Sequence, residues 1–462
     1  MDQDKKKPLH TSGCTGMKQE PKQIIEIAKK IAKKKRIKDF ELWFRTSSSI
    51  SVKSENGEIK ISPALGISKM GIRIIKNKRI GYAGTERVSS ETLELAFDKA
   101  LEKTEKTYLS SFESIAPFSP KGYAHPNSKK ALNNPKILKD VINAITKEAL
   151  RYKKIETFTA TSYADTSRYF VYTLSSDEPI IWESTVSMGS LSVNSIDFEV
   201  QVERGMEDWE VFIKRMKGFL KRYKKKTIKP QDIDAGKKEI EVILHPYMFS
   251  LMLRTILFEH LYITAVDEGY GRFKIGDECA SRKITIYDNG VETRFVLSSP
   301  VDDEGVPSRI NKVIEKGVLK MFLFDRETAV KHERDSTGNG IRRPILTEDK
   351  IEAPVRPTVR ALVVEPGRKS LEEMIKKIKK GVLIKAVLGF HTANKITGDF
   401  SNTILSGYVI EKGEIKGMAE PGAWGVKGNV FEILRNIKEL SKKRLMTGDA
   451  LLPYAKTEIR VV

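Results

Sequence analysis

Between residues 40 and 83, five short β-rich runs (40–46, 50–54, 59–61, 67–75 and 79–83) are punctuated by Asn56-Gly57 and Asn77-Lys78. Asn and Gly enter the left-handed backbone region that two-residue hairpins require, so this stretch is committed to an antiparallel meander. An amphipathic helix precedes it at residues 21–37, where Ile24, Ile25, Ile27, Ala28, Ile31 and Ala32 recur at helical spacing with lysines opposite. Ser89 and Ser90, followed by Glu91 and Glu94, read as the capped start of a second helix reaching residue 108. Helix, meander, helix is the expected order: an N-terminal domain of helices packed on a twisted antiparallel sheet.

The apolar period fails between residues 110 and 134, where Pro117, Pro120, Gly122 and Pro126 favour a linker. Beyond it, residues 135–152 read as a helix and 156–173, 180–186 and 191–203 as long strands. Residues 207–226 read as a basic amphipathic helix, and the polar, turn-rich stretch 230–236 ends this region. The second half opens with a strand at 239–244 and a helix at 247–264, continues through short strands and glycine-rich connections, and includes helices at 371–379 and 429–443 and a last strand at 457–462. No repeating β-α-β rhythm is present, which predicts an α+β fold rather than a doubly wound sheet. The expected division is a disordered tail at 1–20, an N-terminal domain at 21–112, a central domain at 113–236 and a C-terminal domain of mixed strands and helices at 237–462.

Charge and cysteine content narrow the function. The net charge is +21, yet the densest basic runs (29–35, 214–226 and 376–380) sit on helical patterns without regular aromatic interleaving. They read as solvated faces rather than as a nucleic-acid surface. No apolar run approaches the ~18 to 20 residues of a membrane span, and residues 1–20 lack the apolar core of a secretory signal. Only Cys14 and Cys279 are present, which provides no disulfide framework. The expectation is a protein of the reducing cytoplasm.

The six histidines, His10, His125, His245, His260, His332 and His391, include no pair at the spacing by which one helix presents two ligands to a metal. His260 stands beside Glu259, and its ordinary reading is a helix residue with surface or interface contacts. Gly-x-Ser-x-Gly is absent, and Asp277 and Glu278 beside Cys279 oppose a reactive thiolate. Thr337, Gly338 and Asn339 lie in a run that lacks the Lys and spacing of a phosphate loop and fits a tight turn or backbone-binding loop. Asp302-Asp303-Glu304-Gly305 lacks the alternating ligands of a calcium loop and is left as an acidic turn or a substrate or interface element.

Several motifs occur together and in order. Ser51-Val52-Lys53, Gly71-Ile72-Arg73-Ile74-Ile75 and Gly81-Tyr82-Ala83 are followed by Pro300-Val301-Asp302-Asp303-Glu304-Gly305-Val306-Pro307, Glu315-Lys316-Gly317-Val318-Leu319, Ser336-Thr337-Gly338-Asn339, Thr397-Gly398-Asp399-Phe400-Ser401 and Gly407-Tyr408-Val409-Ile410-Glu411. In this arrangement the chain resembles the TldD/PmbA family, once described as modulators of DNA gyrase, over residues 20–462.

The resemblance implies a cytoplasmic peptidase system. Its catalytic branch carries His-Glu-x-x-x-His on the helix after the first strand of the C-terminal domain, with a cysteine near the C-terminus as third zinc ligand. Here Phe258 and Ile263 fall at the two histidine positions around a retained Glu259, no cysteine follows Cys279, and Thr447-Gly448-Asp449 stands in the third-ligand region. The pattern resembles the TldE (PmbA) branch, which implies no metal in this chain, zinc in a TldD-type partner, a heterodimer and a peptide substrate. A stand-alone peptide-binding homodimer and a divergent metal-dependent peptidase using His260 and Glu259 with His391 or His332 are the alternatives.

Overall fold

A computed structural model describes residues 20–115, 120–205, 209–223, 226–236, 238–342 and 351–462. The expected tail at 1–20 lies outside the described residues except for Glu20. Seven strands form the first sheet: β1 (Asp39–Glu55), β2 (Glu58–Lys76), β3 (Arg79–Thr85), β4 (Thr104–Lys106), β5 (Phe158–Thr173), β6 (Ile180–Val193) and β7 (Asp197–Glu203), in the order β4-β3-β2-β1-β5-β6-β7. All pairs are antiparallel. The turn residues do what their chemistry permits: Asn56 and Gly57 have φ of 50° and 106°, and Asn77 and Lys78 have 55° and 56°. The short runs expected within 40–54 and 59–75 are continuous strands, because the intervening Ser, Gly and Pro residues are absorbed by a register shift at Ser47/Ser49 where the surface is only part-buried.

Alternation along β1 divides its side chains between two neighbours. Phe40, Leu42 and Phe44 pack under the helices Pro21–Lys34 and Ser90–Glu102, together with Ile72, Ile74 and Phe97. Ser89 caps the second of these helices through Thr92 N–H, as the sequence predicts. Trp43, on the opposite face, joins Tyr169, Val171 and Trp182 against Val301 and Ile351 of the second half. A further layer of helices, Lys136–Ala149 and Trp209–Arg222, covers Val52, Ala160, Leu191 and Val193. Strands on both sides of residue 112 thus share one sheet, with β1 and β5 paired along their length. The expected linker contains a short helix, Pro126–Asn133, capped by His125, and Phe112, Ile115 and Tyr123 within it are buried.

The second half is built on a mixed sheet in which Glu239–Leu244 runs antiparallel to Ala450–Val461 and parallel to Lys380–Leu388. The α+β class is as expected. Two helices differ from expectation. Residues 247–264 form a helix Pro246–Met252, a widened turn Leu253–Leu257, a tight turn Phe258–His260 and, after Tyr262 bridges to Leu323, a second helix Ile263–Asp267. Residues 429–443 form a helix only at Val430–Arg435, capped by Asn429; the following Glu439–Met446 is drawn into the sheet by pairing with Ala450–Val461. No helix of the described residues is long and apolar enough to cross a membrane.

Candidate functional site

The strand Glu239–Leu244 delivers His245, whose Nδ1 accepts the Tyr247 N–H at 3.1 Å and caps the helix Pro246–Met252. From there one side of the helix enters the core. Met252, Leu253, Ile256, Leu257 and Leu261 are buried, and so are the two positions of interest, Phe258 at 0% and Ile263 at 5% exposure. The other side recurs once per turn as Tyr247, Leu251, Thr255 and Glu259, and lines a cavity of about 620 Å³. Ser250, Arg254 and Tyr262 extend this wall; Ile341, Arg342, Arg356, Pro357 and Thr358 face it, and Thr447 and Asp449 complete it.

The cavity wall is charged, and much of its charge is paired. The Arg254 guanidinium lies 3.0 Å from Asp449 Oδ2 and donates to the carbonyls of Asp449 (2.9 Å), Val359 (3.2 Å) and Arg360 (3.2 Å). Burial pushes the Asp449 carboxyl above its ordinary pKa, against the pull of Arg254. Glu259 keeps a part-exposed carboxylate 3.7 Å from Lys395 Nζ. Tyr262, part-buried, accepts the Val359 N–H through its hydroxyl at 3.3 Å. The motif stretch and the 447–449 stretch therefore meet across one cavity, and Arg254 joins them. Sequence reasoning missed Arg254, although it lies on the Glu259 side of the helix.

His260, adjacent in sequence to Glu259, does not face this cavity. Its ring is enclosed by Phe431 (centroids 5.1 Å apart), Tyr270 (5.8 Å) and Phe273 (6.4 Å), and its Nε2 lies 2.9 Å from the Lys395 carbonyl oxygen. Burial lowers its pKa, so the neutral imidazole is favoured. His332 is held by Asp267 at 2.8 Å, and His391 lies exposed in the turn Phe390–Thr392. Cys279 is buried, its thiol pushed up to about 12 by desolvation and directed at the Gly317 carbonyl. Phe258 and Ile263 offer no donor atom, and among the described residues no group of three or more His, Cys, Asp or Glu could hold a metal ion. The residues present do not fit the zinc of the catalytic branch.

The acidic turn lies elsewhere, between the two halves. Asp302 Oδ1 accepts the N–H of Glu304 (3.0 Å) and Val306 (2.9 Å), and its Oδ2 that of Gly340 (2.8 Å); Asp303 accepts the Arg342 N–H. Glu304 reaches Arg73 of β2 at 2.7 Å, Arg73 makes a two-pronged pair with Glu41 of β1, and Arg342 returns to Glu41 at 2.6 Å. Burial raises the pKa of Glu41, but Arg73 and Arg342 outweigh it and hold the carboxyl below its ordinary value. Burial and the neighbouring Glu304 hold Asp302 well above the usual carboxylate range. Gly305 has φ of +77° and touches Ile115, so the turn passes too close to the first half for a side chain. Thr337, Gly338 and Asn339 form a knot beside it: Asn339 donates to Asp288 and to the Thr358 carbonyl, Thr337 bonds Phe324, and Arg360 donates to the Gly338 carbonyl. The structure brings these two groups together as a joint, which meets the Glu259 cavity wall at Arg342 and at Thr358, the acceptor of the Asn339 amide.

Residues 237–461 match the family model of the PmbA/TldA metallopeptidase C-terminal domain, and residues 41–103 that of PmbA/TldA metallopeptidase domain 1. A protein named metalloprotease from Methanocaldococcus jannaschii is 24% identical over 87% of this chain and 89% of its own length. A zinc metalloprotease TldD homolog from Saccharolobus solfataricus is 34% identical over 30% of each chain. The crystal structure of TldE from Thermococcus kodakarensis has the same fold, with a TM-score of 0.79 at 23% identity over 95% of this chain and 99% of that one. With one family's models matching both the start of the first sheet and the whole second half, and a relative matched along most of its length, the chain belongs to the PmbA/TldD family.

Proposed function

We propose that this chain is the non-catalytic, TldE-type subunit of a two-chain cytoplasmic zinc peptidase, in which a TldD-type partner holds the metal and this chain shapes the chamber that receives peptides and unfolded segments. One observation carries the reading: apolar Phe258 and Ile263, at the two positions where ligands would be needed, are sealed in the core, and of that stretch only Glu259 and Tyr262 line a cavity. Without an ion to acidify a bound water, Glu259 has no activated nucleophile to generate. The cavity is bordered by a two-stranded ribbon, Gly340–Ile341 with Arg356–Pro357, beside which an extended peptide could add by main-chain pairing. The metalloprotease names carried by relatives along the chain agree with a peptidase system.

Co-expression with a TldD-type subunit, followed by zinc quantification and a peptide-cleavage assay on the complex and on each chain, tests the proposal. The expected result is a complex whose zinc and activity depend on the partner. Stoichiometric zinc with peptide cleavage by this chain alone would overturn it, as would a homodimer that binds peptides and ignores the partner.

A further inference from the structure

A second cavity, of about 580 Å³, opens on the far side of the acidic turn. Its walls come from both halves: the segment around Ser110 and Ser114 on one side, and Arg309, Arg326 and Arg334 on the other. We propose that this cleft binds a small anion bearing a phosphate or carboxylate group, with Arg326 as its buried anchor and Glu113 as the counter-ion the ligand displaces.

Arg326 is 8% exposed, yet its Nε and Nη1 make no hydrogen bond among the described residues. Arg342 also leaves Nε and Nη1 unbonded, but its Nη2 donates to the buried Glu41 at 2.6 Å, and two further buried guanidiniums are used in full. Arg73 uses Nε, Nη1 and Nη2 on Glu41 and Glu304, and Arg204 uses all three on Thr293, Phe295, Ser298 and Ser184. A buried charge with idle donors is costly unless something fills them. The one carboxylate beside Arg326 is Glu113, with Oε2 3.2 Å from Nη1, and that side chain is 76% exposed. An exposed partner of this kind contributes little and is free to turn into solvent.

The chemistry of the cleft suits an oxyanion. A planar guanidinium matches carboxylate and phosphate oxygens, and the bond strengthens where water is excluded. Arg309 and Arg334 reach the same cleft, Arg309 being held there by its bond to the Ser336 carbonyl at 2.6 Å. Once Glu113 is displaced, three arginines face one carboxylate, Asp335, so the cleft draws anions electrostatically. Ser110 and Ser114 offer hydroxyls for the remaining oxygens. The backbone N–H of Arg326 is bonded to Glu304 Oε2 at 2.8 Å, and Glu304 pairs with Arg73, so the ligand would act on the joint between the halves. This inference is independent of the peptidase reading.

The test is calorimetric titration of the full chain with inorganic phosphate and, separately, succinate, at constant ionic strength with sodium chloride as the control. Saturable one-site binding is expected, and the tighter of the two anions identifies the source chemistry. Arg326→Gln should weaken binding by about tenfold or more, and Glu113→Gln should tighten it by about threefold, because it removes the competing carboxylate. If Arg326→Gln does not fold, the exposed Glu113→Gln and Arg334→Gln decide, with tightening expected from the first and weakening from the second. Absence of one-site binding for both anions overturns the proposal, and so does Glu113→Gln binding that is unchanged or weaker.

Discussion

Arg73 of the first sheet and Glu304 of the second half form a 2.7 Å ion pair in which both side chains are almost wholly buried, at 1% and 0% exposure. Glu41 and Arg342 close the group, so its four formal charges cancel. Removing one member leaves the others buried without compensation. Arg73→Met is expected to cost about 3 to 5 kcal/mol in urea denaturation, whereas Lys22→Met, which breaks the exposed pair with Glu178, should cost under ~0.5 kcal/mol. Equal losses in the two variants would contradict the joint.

Restoring the missing ligands should fail. In a Phe258→His, Ile263→His variant both imidazoles would replace apolar side chains packed in the core. A loss of about 2 to 4 kcal/mol is expected from the cavity and the buried polar groups, with no stoichiometric zinc by atomic absorption. One tightly bound zinc per chain at unchanged stability would show that those positions still converge.

Glu259 should be dispensable for chemistry. Its partner Lys395 is 3.7 Å away and both are part-exposed, so Glu259→Gln should change stability by less than ~0.5 kcal/mol. Peptide cleavage by the complex with a TldD-type subunit should stay within about twofold, against the ~10² to 10⁴-fold loss expected when a general base is removed.

Acid sensitivity should trace in part to His245. Burial first, then Lys385 and Arg215, hold its pKa well below 6.5. The fold keeps the ring neutral while the unfolded chain takes up a proton, so this stability is complete above 6.5 and is lost as the pH falls below it. Asp302 and Asp325, raised by burial and by Glu304, have the opposite slope and gain as the pH falls. His245→Asn retains a capping acceptor and isolates the histidine. Below pH 6.5 the wild type should lose up to about 1.4 kcal/mol per pH unit more than the variant in denaturant titrations; parallel curves would refute the assignment.

What the sequence made legible was local. Asn56-Gly57 and Ser89 specify a turn and a cap from their own chemistry, and both are where the residues alone put them. The substitution of Phe258 and Ile263 around Glu259 was equally visible. The end of the regular helix at Met252 and the interruption at Tyr262 were not, because the apolar spacing of Leu253, Ile256, Leu257, Phe258 and Leu261 suits any buried helical turn, and the extended Tyr262 bridges to the distant Leu323. The same holds for Arg254, which looks like one more surface arginine until Asp449 is brought to it. Asp302 and Glu304 could be read either as an acidic turn or as a substrate or interface element for the same reason: the arginine that pairs with Glu304 is supplied by β2.

The pairing of β1 with β5 sets an order of events during synthesis. β1 can form its hairpin with β2 as soon as both leave the ribosome, but its second edge waits for a strand made roughly 100 residues later, on the order of 10 s at usual translation rates. During that interval an almost complete ladder of main-chain donors and acceptors is bare. Lys53 and Glu55, both exposed in the finished sheet, place charge at the far end of that edge, where a neighbouring nascent chain would otherwise find it easiest to add.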